Sequence, residues 1–202
     1  MINEKQLIEQ ILSGDDEAFA ELVHEYEDKV YHLCLRMCSD REQAKDLAQE
    51  AFVKAWRGLK FYKHEASFST WLYRLTSNVC IDFLRSKKRT MALSLTADDE
   101  EATVLDVEDP SPTPEQQLMD SQSKQAVAVA MEQMEEEARM ILLLRVVEER
   151  SYEEIAGIMD LKTGTVKSRL ARAREKLRRI LMESGNDFGF TSVKRKEEEG
   201  SI

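Results

Sequence analysis

The chain has 202 residues, a length that suits two small domains joined by a connector better than one minimal core. Charged residues make up 34% of it, Gly and Pro are scarce, and no run approaches the roughly 20 apolar residues a membrane span needs. The expectation is an all-α, cytoplasmic protein without membrane insertion, and Met1 to Gln10 lacks the basic-then-apolar layout of a secretion signal. A net charge of −10 opposes duplex binding by the chain as a whole, but the charge is segregated. Nine acidic residues and no Lys or Arg lie between Asp98 and Asp120, whereas Lys167 to Arg179 carries seven basic residues against one Glu.

In chain order, Leu7, Ile8, Ile11 and Leu12 form a short helical stripe that stops at Ser13-Gly14. A longer helix follows, with Phe19, Leu22, Val23, Tyr26, Val30, Leu33, Cys34 and Met37 on one buried face. Ser39 and Glu42 have the spacing of a capping box for the next helix. There Ala44, Leu47, Ala48, Ala51 and Ala55 form a small-residue inner face, and Glu42, Asp46, Gln49 and Val53 point outward. Gly58 to Ala66 reads as a loop rich in aromatic and basic residues, and a helix from about Ser67 leads into Arg85, Lys87, Lys88 and Arg89. Cys34 and Cys38 share a helix face near His32; they miss the usual zinc spacings, and the plain reading of Cys34 is a small core residue.

Residues 91–113, ending in "DPSPTP", are expected to form an acidic flexible linker between an N-terminal helical domain (1–90) and a C-terminal one (114–182), with 183–202 a disordered tail. Leu118, Val127, Met131 and Met134, then Met140, Ile141, Leu144 and Val147, supply the second core. The most specific motif is "SYEEIAGIMDLKTGTVKSRLARAREKL". Ser151 and Glu154 form a capping box, Ile155, Ala156 and Met159 give a short helix with a buried face, Leu161 to Gly164 turns, and Thr163 can cap a second helix: a helix-turn-helix. In the second helix Val166, Leu170, Ala173 and Leu177 fall within about 60° of arc and pack inward. Ser168, Ala171 and Arg172, flanked by Thr165, Lys167 and Arg169, then face a major groove or, on the plainer reading, solvent.

With "DLAQEAFVKAW" and "FSTWLYRLTSNVCIDFLR", that motif makes the chain resemble the extracytoplasmic-function (ECF) sigma factors from about Asp15 to Leu181. The resemblance implies a non-enzymatic, cofactor-free, metal-free subunit that joins core RNA polymerase, recognises promoter DNA and is masked by an anti-sigma factor. It implies a polymerase-binding face at Asp46, Gln49, Glu50 and Val53, with Val53 an apolar centre in a polar surround. For the minus-ten element it implies that the loop from Lys60 to Ser69 and the helix after it grip unpaired bases, with Phe61, Tyr62, Trp71 and Asn78 as stacking and base-edge chemistry, and Arg74, Arg85, Lys87 and Lys88 as phosphate contacts. Trp71, at a helix start, suits a core or hinge role equally well. For the minus-thirty-five element it implies Thr165, Lys167, Ser168, Arg169, Ala171 and Arg172, with Arg145 a backbone contact from the preceding helix. The acidic linker would lie in polymerase channels as an electrostatic stand-in for nucleic acid. The chain departs from the family pattern at Met134-Glu135, where a Leu-Pro is usual, and near Glu149-Arg150, where a Gly is common. Two rivals are weaker: an autonomous repressor needs a dimerisation or sensing domain that the first half does not display, and an enzyme needs a phosphate loop, triad or metal set that the sequence lacks.

Overall fold

A computed structural model of the chain describes residues 4–94 and 124–185. Every element among them is helical: α1 (Glu4–Leu12), α2 (Asp16–Cys38), α3 (Arg41–Gly58), a 3₁₀ turn (Leu59–Phe61), α4 (Phe68–Ser94), α5 (124–132), α6 (Glu136–Val146), α7 (Tyr152–Met159) and α8 (Thr163–Glu183). The acidic stretch Asp98 to Asp120, Leu118 and the tail beyond Gly185 lie outside the described residues. α4 continues to Ser94, past position 91 where the composition changes.

The helix ends are set by local chemistry. Asp15 caps α2, accepting from the amides of Glu17 and Ala18. Ser39 does not start α3; it ends α2 in a left-handed conformation (φ 56°), and Asp40 caps α3 by accepting from the Gln43 amide. A side chain can cap only from the extended backbone that Asp40 adopts, which the left-handed Ser39 does not. The Ser151–Glu154 capping box forms with both reciprocal hydrogen bonds. Thr163 is not the cap of α8: Lys162 holds that position, with no side-chain hydrogen bond.

The first domain packs α2, α3 and α4 through Leu22, Val30, Leu33, Met37, Leu47, Leu72 and Val79, and the alanines of α3 let the helices approach closely. α1 closes one end, with Leu7, Ile8 and Ile11 buried and Leu12 exposed, and the Tyr26 hydroxyl donates to Glu4. Burial, then the Glu4 carboxylate, raises the Tyr26 pKa. Cys34 and Cys80 are fully buried with sulfurs 3.6 Å apart, so the close thiol pair spans α2 and α4 and is not Cys34–Cys38. Cys38 instead donates to the Asp40 carbonyl, and among the described residues no cluster of His, Cys, Asp and Glu could hold a metal.

The second domain packs α6 against α8 and α7, burying Met140, Ile141, Leu144, Ile155, Ile158, Val166 and Leu170. Val147 is exposed, because α6 has already ended there, and the inward residue of α7 is Ile158 where Met159 was expected. Both departures from the family pattern are absorbed by the backbone. Glu135 takes φ −65°, the angle a proline would impose, and Glu149 takes the left-handed φ of 51° that a glycine would take freely. The Arg150 amide then closes on the Leu144 carbonyl, completing the helix end.

Candidate functional site

The outward residues of α3 form the first surface. Asp46, Gln49, Glu50 and Val53 are all exposed, and Lys54 Nζ lies 2.8 Å from Glu50, pairing that carboxylate within the helix. Beside them, between α2 and α3, lies an open groove of about 490 Å³ with an apolar floor of Val23, Tyr31, Ala48 and Phe52 and an edge of Glu27, Asp28, Lys45 and Gln49. Tyr31 and Phe52 are half-buried and went unnoticed in the sequence. Phe52 follows buried Ala51, and a helical period gives no sign that a groove opens just there.

The second surface starts at the 3₁₀ turn. Leu59 is buried and anchors it, leaving Phe61 72% exposed with Lys60 Nζ 5.0 Å from its ring. Tyr62 turns inward: its hydroxyl donates to the Ala66 carbonyl at 2.6 Å, and its ring sits 5.2 Å from Trp71 and 6.1 Å from Phe68. Trp71 also lies against Gly58, where an added Cβ would meet the indole at 3.2 Å. Trp71 is therefore the brace that holds the loop on α4, and Phe61 is the aromatic left facing solvent. Burial, then the Glu4 charge, raises the Tyr62 pKa. Asn78 is exposed one helical turn beyond Arg74.

The phosphate-contact candidates on α4 are not free. Arg74 lies 3.7 Å from Asp160, Arg85 2.6 Å from Glu137 and Lys88 2.5 Å from Glu136, all acidic groups of the second domain, and Lys87 donates to Gln43 at 3.4 Å. Helical spacing places these cations on a face, but only the docking of the second domain determines what lies opposite them.

The third surface is the outward strip of α8. Val166, Leu170 and Ala173 are buried and Leu177 half-buried, which turns Lys167, Ser168, Ala171 and Arg172 to solvent. The Ser168 hydroxyl donates to Thr165 O at 3.0 Å, so its oxygen lone pairs remain outward-facing acceptors. Thr165 is half-buried in the first turn. Arg169 bends aside to Glu137 at 2.5 Å. Arg145 donates to the Arg150 carbonyl at 2.9 Å and stacks 5.2 Å from the Tyr152 ring, while Lys167 approaches the same ring at 5.6 Å. Tyr152 thus gathers Arg145 and Lys167 from two helices to one place, a role that spacing alone did not reveal.

Together the described residues present an exposed strip on α8, an aromatic turn, a cationic helix and a groove between α2 and α3. Comparison with known proteins shows the family. Residues 22–90 match the family model Sigma-70 region 2, and residues 124–177 match Sigma-70, region 4. The chain is 33% identical over 181 residues to the ECF RNA polymerase sigma factor SigW of Bacillus subtilis, covering 89% of this chain and 97% of that protein. It is 36% identical to the RNA polymerase sigma-H factor of Pseudomonas aeruginosa, covering 88% and 93%. In fold it is similar to the sigma factor RpoE of Bartonella quintana, solved with the anti-sigma factor NepR, with a TM-score of 0.63 at 22% identity over 81% of this chain and 96% of that one.

Proposed function

Because the chain belongs to the ECF RNA polymerase sigma factors, which bind core polymerase and direct it to particular promoters, we propose a division of that work among its three surfaces. Asp46, Gln49, Glu50 and Val53, with the adjoining groove, dock on core polymerase: a small apolar centre within a polar rim, where Glu27, Asp28, Asp46 and Glu50 outnumber Lys45 and Lys54, suits a basic helical partner. Phe61 stacks an unpaired base of the minus-ten element, Tyr62 and Trp71 hold the loop that presents it, Lys60 and Asn78 supply polar contacts, and Arg74, Arg85, Lys87 and Lys88 meet phosphates. Lys167, Ser168, Ala171 and Arg172 read the minus-thirty-five element, with Thr165, Arg169 and Arg145 at its margins.

The observation that carries this reading is the outward strip of α8, where small and basic side chains project from a helix held at the fixed geometry of a helix-turn-helix. Residues 1–90 and 114–182 act as the two functional units, with 91–113 their acidic connector. An anti-sigma factor is the natural regulator, since the structurally similar Bartonella sigma factor is bound by one. The test is reconstitution: the purified chain should co-elute with core RNA polymerase and support run-off transcription from a subset of genomic fragments. A chain that assembles with core but initiates nowhere beyond the core-alone background contradicts the promoter-reading assignment.

A further inference from the structure

The Sigma-70 region 2 match begins at residue 22, so α1 lies outside it, and none of the three surfaces above uses this helix. α1 nonetheless packs on α2 and reaches the 3₁₀ turn that carries Phe61. It has nine residues, too few to hold a helix in water unaided, so its buried face of Leu7, Ile8 and Ile11 and its side-chain contacts keep it formed. At its start, half-buried Glu4 accepts the hydroxyl of Tyr26, a residue only 5% exposed.

Tyr26 connects that bond to the loop. Its ring meets buried Phe68 edge-on at 5.6 Å, and Phe68 lies 6.1 Å from Tyr62 and 5.7 Å from Trp71, the pair that holds the loop on α4. Lys29 Nζ, 5.3 Å from the centre of the Tyr26 ring, fixes that ring from another side. Burial and then Glu4 raise the pKa of Tyr26 and of Tyr62 alike, so the carboxylate lies within electrostatic reach of both α2 and the loop. We propose that α1 is a strap on the minus-ten loop and that Glu4 is its positioning residue: through Tyr26 and Phe68 it fixes Tyr62 and Trp71, and with them the angle at which Phe61 meets an unpaired base. The inference rests on the minus-ten role proposed above for Phe61. A loop ordered in advance has less entropy to lose when it captures a base, so the strap acts on promoter opening and not on assembly with core polymerase through α3.

A carboxylate in the first turn of a helix has a plainer explanation, attraction to the helix dipole, which Glu4 satisfies without Tyr26. Glutamine separates the two, since its amide oxygen still accepts from Tyr26 but carries no charge. The experiment compares the full chain with Glu4→Ala, Glu4→Gln, Tyr26→Phe, the double variant Glu4→Ala/Tyr26→Phe, and Glu9→Ala from the exposed face of α1. Hydrogen–deuterium exchange follows the loop through the amides of Tyr62 and Thr70, bonded to the Leu59 carbonyl and the Ser67 hydroxyl. Affinity for core polymerase and the opening rate of saturating holoenzyme, read from a fluorescent base in the minus-ten element, are measured below the melting range of every variant. Glu4→Ala should speed loop exchange and slow opening, each by roughly fivefold, the effect of losing one hydrogen bond of ordinary net strength. Core affinity should stay within about twofold of wild type, because the α3 face shares no partner with Glu4. Tyr26→Phe should match Glu4→Ala, the double variant should add nothing further, and Glu4→Gln and Glu9→Ala should behave as wild type. If Glu4→Gln is as defective as Glu4→Ala, the dipole explanation replaces the proposal. Unchanged loop exchange in Glu4→Ala overturns it as well, leaving a helix that merely closes the core. So does a fall in core affinity as large as the fall in opening, because the whole domain would then be loosened. Faster loop exchange with normal opening overturns the positioning role where Phe61→Ala, run in parallel, slows opening; where Phe61→Ala also opens normally, the minus-ten reading beneath it has failed.

Discussion

The two helices proposed to face DNA differ in what covers them. On α8 the strip Lys167, Ser168, Ala171 and Arg172 is open to solvent, whereas on α4 Arg74, Arg85 and Lys88 each face a carboxylate of the other domain. Both are basic amphipathic helices with comparable spacing. The difference shows that a cationic stripe identifies a surface with affinity for phosphate but says nothing of whether that surface is available.

The largest expected effect tests a region that touches neither DNA helix. Asp46→Arg/Gln49→Arg should abolish assembly with core polymerase in a pull-down, while the melting midpoint reports a stability change under about 0.5 kcal/mol, because both side chains are exposed. A folded variant that still binds core would remove the α3 face from the assignment.

The next tests set the two DNA surfaces directly against each other. Trp71→Ala should destabilise the chain by about 3 kcal/mol by emptying the space between Tyr62, Phe68 and Gly58, whereas Phe61→Ala should leave the melt unchanged. Phe61→Ala should nevertheless weaken promoter opening, followed by a fluorescent base in the minus-ten element, by about 1–3 kcal/mol. Equal melting losses for the two variants would mean that Phe61 is also structural. On α8, Arg172→Ala and Lys167→Ala should each weaken recognition of the upstream element by roughly 1–3 kcal/mol where a base edge is contacted. If promoters differing only upstream respond identically to both changes, α8 holds phosphate without reading bases.

The smallest effect concerns the turn between α6 and α7. Glu149→Gly should raise stability by roughly 0.5–1 kcal/mol, since glycine occupies the left-handed region without the steric cost a side chain bears. A fall in the melting midpoint would show that the Glu149 side chain has an interaction outweighing its backbone strain.

Much of the fold was legible because it is written in local periodicity. The inner faces of α2, α3 and α8, the Ser151–Glu154 capping box and the outward strip of α8 all follow from spacing at 3.6 residues per turn, which each helix satisfies before it meets a partner. Caps were less legible where two acceptors stand side by side. Ser39 and Asp40 are both competent, and the choice of Asp40 depends on which residue must turn left-handed to end α2.

What only tertiary structure decided involves pairs far apart in sequence. Trp71 became a brace because Gly58 and Tyr62 fold back on it, Arg145 and Lys167 share a site because Tyr152 lies between them, and Cys34 found Cys80 rather than Cys38. Arg85 and Lys88 could be identified in the sequence as cations, yet their partners Glu137 and Glu136 lie about fifty residues away, beyond the linker. Helical periodicity determines which way a side chain points from its own axis; only the packing of one helix against another determines what it meets there.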